Sequence, residues 1–198
     1  MPTVPMDDPL TWFETWLASA KASSEREPTA MSLATVDDRG QPMVRIVLLK
    51  GVDRKGFVFY TNLGSRKGRQ LRGQPRAGLC WLWKEEGRQV RVEGPVKPLA
   101  DEEADAYFST RPRGSQIGAW ASRQSKALES REALEARVQE VKARFEGRAV
   151  ERPPHWSGYR VVPTRVEFWE IGDHRLHDRW EFERQGPGWN WQRRRLFP

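Results

Sequence analysis

Cysteine is nearly absent: Cys80 is the only one in 198 residues. No intrachain disulfide can form, which favours a reducing cytoplasm over a secreted, disulfide-stapled fold. Cys80 stands in the apolar run AGLCWLW and is expected to be a small core residue, not a nucleophile. No run of about 18 apolar residues occurs, so no membrane-spanning helix is expected. The opening MPTVPMDDPL has no basic stretch followed by an apolar one, which argues against a secretory signal. GxGxxG after a first strand is missing, as is GxxxxGK followed by Ser or Thr. A doubly wound dinucleotide site and a phosphate loop of that type are both unsupported. His174 and His177 lack carboxylate or cysteine partners at a recognisable ligand spacing, so no metal site is expected. Internal repeats and low-complexity blocks are missing too.

What is present is positive charge and tryptophan. The formal charge is +7, and there are ten Trp. A basic chain attracts anions: nucleic acid, acidic lipid or phosphorylated small molecules. Tryptophan packs cores and also stacks on planar rings. Composition therefore leaves a nucleic-acid binder and a site for an aromatic phosphate open. The length fits one domain spanning residues 1–198, with a short N-terminal segment 1–7.

Asp8 followed by Pro9 reads as a helix cap with proline in the first turn. Leu10, Phe13, Trp16, Leu17 and Ala20 continue at helical spacing, giving a helix over 9–22. Residues 30–36 and 57–61 read as strands, and the Val/Ile-rich run 43–50 as a buried strand that forms a hairpin with 57–61. Ser65 can cap a short helix ending near Gly73. Further strands are expected at 76–83, 88–96, 159–162, 165–171, 179–183 and 189–193. Residues 101–110 form an acidic-headed helix, 116–120 a helical turn, and 131–145 an amphipathic helix with Leu134, Val138, Val141 and Phe145 on one face. About nine strands mostly follow one another through short turns, which argues for antiparallel pairing in an α+β or barrel class.

Five constellations can carry chemistry. Arg45 and Lys50 flank the run RIVLLK, and two cations on a buried strand call for an anion or a carboxylate. Five positions apart they face opposite sides of an ideal strand, and the bland alternative is a structural ion pair plus a snorkelling lysine. Tyr60 and Thr61 end a strand, and Ser65, Arg66 and Lys67 start a helix. Backbone N–H groups and cations at a helix start suit a phosphate, although an ordinary capped surface helix has the same residues. Tyr107, Arg111 and Ser115 recur every four residues and can form a small phosphate clamp. Pro112 interrupts a continuous helix there, and a helix end with a favourable arginine is the alternative. In HRLHDR, residues 174–179, an extended chain points Arg175, His177 and Arg179 one way and Asp178 the other; an exposed basic strand face is the alternative. Gln124 and Ser125 lie in a polar loop before a helix, and Gln89 is one amide inside RQVRV, for which a cross-strand partner is the simpler reading.

Together, RIVLLK, FVFYTNLGSRK, RQVRVEG, YFSTRPRGSQIGAWASRQS, VEFWEIG and HRLHDRW resemble the pyridoxamine 5'-phosphate oxidase family, in the family's order and from about Asp8 to the C-terminus. The resemblance implies a mostly antiparallel split β-barrel with peripheral helices, a homodimer with FMN at the subunit interface, and a dimerisation and substrate region at about 155–198. It implies oxidation of pyridoxine or pyridoxamine 5'-phosphate to pyridoxal 5'-phosphate with molecular oxygen, without nucleic acid or membrane as partner. By the family pattern FMN is contacted by Arg45, Ile46, Val47, Leu48, Leu49 and Lys50, and by Tyr60 and Thr61. Arg66 and Lys67 serve its phosphate, and Gln89, Gln124, Ser125, Trp169 and Arg179 complete the flavin site, some from the partner subunit. Lys50, Tyr107, Arg111 and Ser115 would hold the substrate phosphate. Arg175, Leu176 and His177 would lie at its ring, with Arg175 and His177 catalytic. Family members often carry a longer basic N-terminal arm, and only seven residues precede Asp8 here. Two alternatives are kept: another split-barrel flavoenzyme, such as one of phenazine biosynthesis or a flavin reductase, and a nucleic-acid-binding β-barrel.

Overall fold

The structure is a computed structural model and describes residues 6–198. The first five residues of the expected N-terminal segment 1–7 lie outside the described residues. Helix α1, Pro9–Ala22, starts as its sequence dictates: the Asp8 carboxylate accepts from the N–H groups of Leu10 and Thr11 at 3.3 Å each. Its apolar stripe is fully buried, and Trp12 joins the expected positions by stacking on Phe168 at 4.1 Å. Phe13 meets Phe57 and Trp81 edge-on at 4.9 and 4.8 Å. The helix thus plugs the strand framework with aromatic side chains.

Ten strands form that framework among the described residues: β1 Ala30–Val36, β2 Pro42–Leu48, β3 Gly51–Asp53, β4 Gly56–Asn62, β5 Arg76–Trp83, β6 Arg88–Pro98, β7 Trp156–Val161, β8 Arg165–Glu170, β9 Asp178–Gln185 and β10 Asn190–Leu196. The main path runs β10-β9-β8-β6-β5-β1-β2, and a second set, β3-β4-β7, joins through β6. Every pairing is antiparallel. Strand β6 makes the corner. Its first half pairs with β8 and its last residues with β7. At the bend, a Cβ on Gly94 would overlap the Val162 carbonyl, so only glycine permits this crossing. The helices are peripheral: α2 Arg66–Gly73, α3 Asp101–Thr110, α4 Arg113–Ala121 and α5 Arg131–Arg144. This is the expected split-barrel α+β class.

Four local expectations need correction. The run 43–50 is not a buried strand. Strand β2 is a sheet edge whose even positions face solvent, with Val44 65%, Ile46 63% and Leu48 36% exposed. Its hairpin partner is β1, not β4; the chain leaves the sheet at Leu49 and returns as β3, which pairs with β4. Cys80 is half-exposed, because β5 alternates and points Leu79 and Trp81 inward and Leu82 outward. Its thiol is pushed up by burial and by Glu167, against the pull of Arg91, which keeps it protonated and a poor nucleophile. Helix α5 buries none of its own residues. Val138 and Val141 only flank a small cluster of Phe108, Ile117, Phe145 and Trp156.

Candidate active site

A cleft of about 720 Å³ opens between the end of β4, the outer strand β2, the start of α2 and the α3–α4 junction. That size suits a cofactor or small-molecule pocket. Lining it are Ile46, Val47, Leu48 and Lys50 from β2 and the residues after it, and Tyr60 and Thr61 from β4. Lys67 enters from α2, Gln124 from a loop, and Tyr107, Arg111 and Ser115 from the junction. Residues 60 and 61 alternate sides, so two groups of donors form.

On one side Thr61 Oγ1 and Lys67 Nζ both donate to Gln124 Oε1, at 3.4 and 3.2 Å. Arg66 N–H donates to Ser125 Oγ at 3.2 Å, and the Ser65 cap takes Gly68 N–H at 3.2 Å. Two donors of the helix start are therefore already used, and charge here comes from side chains. Arg45 lies behind this group, donating to Thr35 Oγ1 at 2.6 Å, to the Leu33 carbonyl at 3.1 Å and to Gln70 Oε1 at 3.2 Å. All three acceptors are neutral. Among the described residues, no ion pair neutralises Arg45, Arg66 or Lys67. Burial, and then Arg66, lowers the Arg45 pKa; burial, and then Arg45, lowers that of Lys67. Arg45 and Lys67 are thus destabilised as cations with no carboxylate at hand, and an anion would relieve both.

On the other side the rings of Tyr60 and Tyr107 stack at 4.0 Å and 10°, and Tyr60 and Trp156 at 5.2 Å and 4°. The Arg111 guanidinium lies 4.6 Å over Trp156. Its Nη1 is buried with no hydrogen-bond partner, and burial lowers its pKa despite the help of Tyr107. A buried, unpartnered guanidinium nitrogen beside Ser115 and Lys50 fits an oxyanion. Burial, with Glu103 and Tyr107, pushes the Tyr60 phenol up to about 12 against Arg160, so it stays a neutral donor. The interruption at Pro112 divides α3 from α4 without separating Tyr107, Arg111 and Ser115.

The remaining expected residues lie elsewhere in the chain. Gln89, Trp169 and Arg179 form one cross-strand row over β6, β8 and β9, continued by Leu82 on β5. Buried Glu167 holds Arg179 by its Nε at 3.0 Å and Nη2 at 2.9 Å, and Arg91 at 3.3 Å. Residues 174–179 are not one extended segment. A 3₁₀ turn, Asp173–Arg175, precedes β9, and His174 and Arg175 have φ of 52° and 66°. Alternation therefore does not align Arg175 with Arg179. The His177 ring rests 4.5 Å from Trp169. Strands β5 and β1 stand between Gln89 on β6 and β2, so one chain does not close the two groups around a single ligand.

Sequence reasoning passed over Trp156, the platform under Arg111, and Glu167, the counter-charge of Arg179. A larger cleft of about 870 Å³ beside β2 and α2 carries Asp37 and Asp38 as well as Arg66 and Arg69. Its mixed charge makes it a weaker anion site.

A family profile described as pyridoxamine 5'-phosphate oxidase matches residues 17–145, and one described as the pyridoxine 5'-phosphate oxidase C-terminal dimerisation region matches 156–198. A Rhizobium etli protein named pyridoxine/pyridoxamine 5'-phosphate oxidase is 54% identical over 191 residues, covering 96% of this chain and 93% of its own. A Rubrobacter xylanophilus protein of the same name is 56% identical over 191 residues, covering 96% and 87%. The structure of PhzG from Burkholderia lata, solved with tetrahydrophenazine-1-carboxylic acid, is 36% identical with a TM-score of 0.92, covering 98% and 94%.

Proposed function

The chain belongs to the pyridoxamine 5'-phosphate oxidase family, and from that premise we infer that it oxidises pyridoxine 5'-phosphate and pyridoxamine 5'-phosphate to pyridoxal 5'-phosphate. The observation that carries this reading is the cleft that Lys67 enters from one side, with Arg45 and Arg66 adjoining it, and Lys50 and Arg111 from the other, all without a carboxylate partner among the described residues. A flavin phosphate and a substrate phosphate each need such a group.

FMN fits the first group by charge and donor type. Arg45, Arg66 and Lys67 would neutralise its phosphate, with Thr61, Gln124 and Ser125 as hydrogen-bonding neighbours. The backbone of 46–50 and the Tyr60 side would border its ring. Bound there, FMN would supply the two-electron acceptor, with molecular oxygen as the final oxidant and hydrogen peroxide as its product. Lys50, Tyr107, Arg111 and Ser115 would hold the substrate phosphate, with Trp156 fixing the plane of Arg111. That anchor spends binding energy on orientation, which is the main task left to the protein. The alcohol gives the aldehyde directly; the amine gives an imine that water hydrolyses, with loss of ammonia.

Gln89, Trp169, Arg175, Leu176, His177 and Arg179 would complete the site from the second subunit of a homodimer. Supporting this are the open apolar positions of β2 and the profile match of the dimerisation region. Residues 1–198 would then act as one FMN-binding unit, with 155–198 as its dimerisation and substrate region. The same reading places the enzyme in a reducing cytoplasm, in keeping with a single unpaired cysteine. No helix among the described residues is long and apolar enough to cross a membrane.

Kinship with PhzG favours one second reading, a phenazine-type substrate. Turnover of pyridoxine 5'-phosphate, set against a reduced phenazine carboxylate, tests the two. The oxidase reading expects the B6 phosphate to be consumed with one peroxide formed per aldehyde; consumption of the phenazine alone would overturn it.

A further inference from the structure

The turn between β8 and β9 is organised around one hydrogen bond. The Gly172 N–H donates to His177 Nδ1 at 3.2 Å. A backbone N–H can bond only to a lone pair, so Nδ1 is bare in this arrangement, and a neutral ring carries its proton on Nε2.

Separate features hold this geometry. A Cβ on Gly172 would overlap the Leu176 carbonyl oxygen, so the two arms of the turn approach as only glycine allows. His174 and Arg175, neither of them glycine, both take left-handed backbone angles. Leu176 N–H closes the turn on the Asp173 carbonyl at 2.9 Å, and Ile171 N–H ties it to the Gly87 carbonyl at 2.9 Å. The ring itself is braced against Trp169. With one nitrogen held from behind, Nε2 is the polar atom left to meet a ligand. Two adjacent non-glycine residues in a sparsely populated region cost free energy, and such strain is retained where it aims a functional group.

We propose that Gly172 is a positioning residue whose N–H locks His177 as the Nε2–H tautomer, so that His177 meets the substrate as a hydrogen-bond donor and not as a base. The proposal rests on the oxidase reading for the substrate class, a phosphorylated hydroxypyridine. The ionised ring hydroxyl of such a substrate is an acceptor matched to this donor. A base would need the lone pair that the proton on Nε2 occupies, so the proton released from the 4'-substituent does not go to His177.

The first test is a ¹⁵N–¹H correlation spectrum of the histidine rings in the FMN-loaded protein, assigned with His177→Gln. A neutral His177 protonated on Nε2 and bare on Nδ1 is expected; a neutral ring protonated on Nδ1 overturns the lock. Gly172→Ala should mix the tautomers and lower kcat on pyridoxine 5'-phosphate while FMN affinity holds. Because that variant disturbs the turn, His177→Gln and His177→Leu supply the second arm. Glutamine keeps an N–H donor and should exceed leucine by about tenfold in kcat/KM, the worth of one hydrogen bond. Equal rates overturn the donor role. A protein that shows the Nε2–H form but does not oxidise pyridoxine 5'-phosphate would support the lock and remove the oxidase reading.

Discussion

Arg111 concentrates the electrostatics of the cleft in one side chain. It is half-buried, stacked on Trp156, and has a guanidinium nitrogen without a partner. If it holds the substrate phosphate as proposed, replacing it with alanine would remove charge-assisted bonds each worth roughly 1.5–3 kcal/mol. KM for pyridoxine 5'-phosphate should rise about 10- to 100-fold while FMN stays bound, as steady-state kinetics and the visible spectrum of the variant would show. Lys67 makes a pH prediction. Its pKa lies below that of an ordinary lysine through burial and Arg45. A bound phosphate favours the charged amine, so FMN affinity should be full below the lowered pKa and weaken as pH rises through it. Fluorescence titration of FMN against pH would show this, and Lys67→Met should flatten that alkaline decline. Arg66, Lys67 and Arg111 were legible in the sequence as cations at a helix start and a helix break. Trp156 was not, because its contacts with Tyr60 and Tyr107 come from chain segments far apart, and nothing local in PPHWSGY marks them.

Elements were legible where one chain satisfies its own pattern. Helix α1 has a cap, a proline and an apolar stripe that all agree, and the structure buries that stripe. Trp12→Ala should cost about 3–5 kcal/mol by chemical denaturation, since Trp12 is 1% exposed and stacked on Phe168. Strand β2 misled for a physical reason. Apolar residues on both faces signal burial, but periodicity cannot say whether the cover comes from the same chain or from another. Val44, Ile46 and Leu48 lie open in the single chain. Ile46→Lys should leave the fold's melting transition nearly unchanged, shift the protein towards monomer in sedimentation, and weaken FMN retention. The turn after β8 misled differently. HRLHDR has no glycine or asparagine at its left-handed positions, so local propensity reads it as extended. Gly172, two residues upstream of His174, is what makes the turn possible.

At the scale of the molecule, the net charge is +7, and one cleft gathers Lys67 on one side and Lys50 and Arg111 on the other, with Arg45 and Arg66 adjoining Lys67. The long path from β2 to β10 sets Ile46 and Leu48 at one edge and Trp169 and Arg179 near the other. A second copy placing its β8–β9 row over this cleft would bring the separated residues to one ligand and cover β2 as well. Loaded with FMN, this cleft is proposed to oxidise a B6 phosphate. The most direct measurement is the absorbance spectrum of the FMN-loaded protein under anaerobic conditions, before and after addition of pyridoxine 5'-phosphate. The flavin bands should bleach, and admitting oxygen should restore them with the formation of pyridoxal 5'-phosphate; a protein that binds no FMN, or whose flavin bands stay unchanged when the substrate is added, is not such an oxidase.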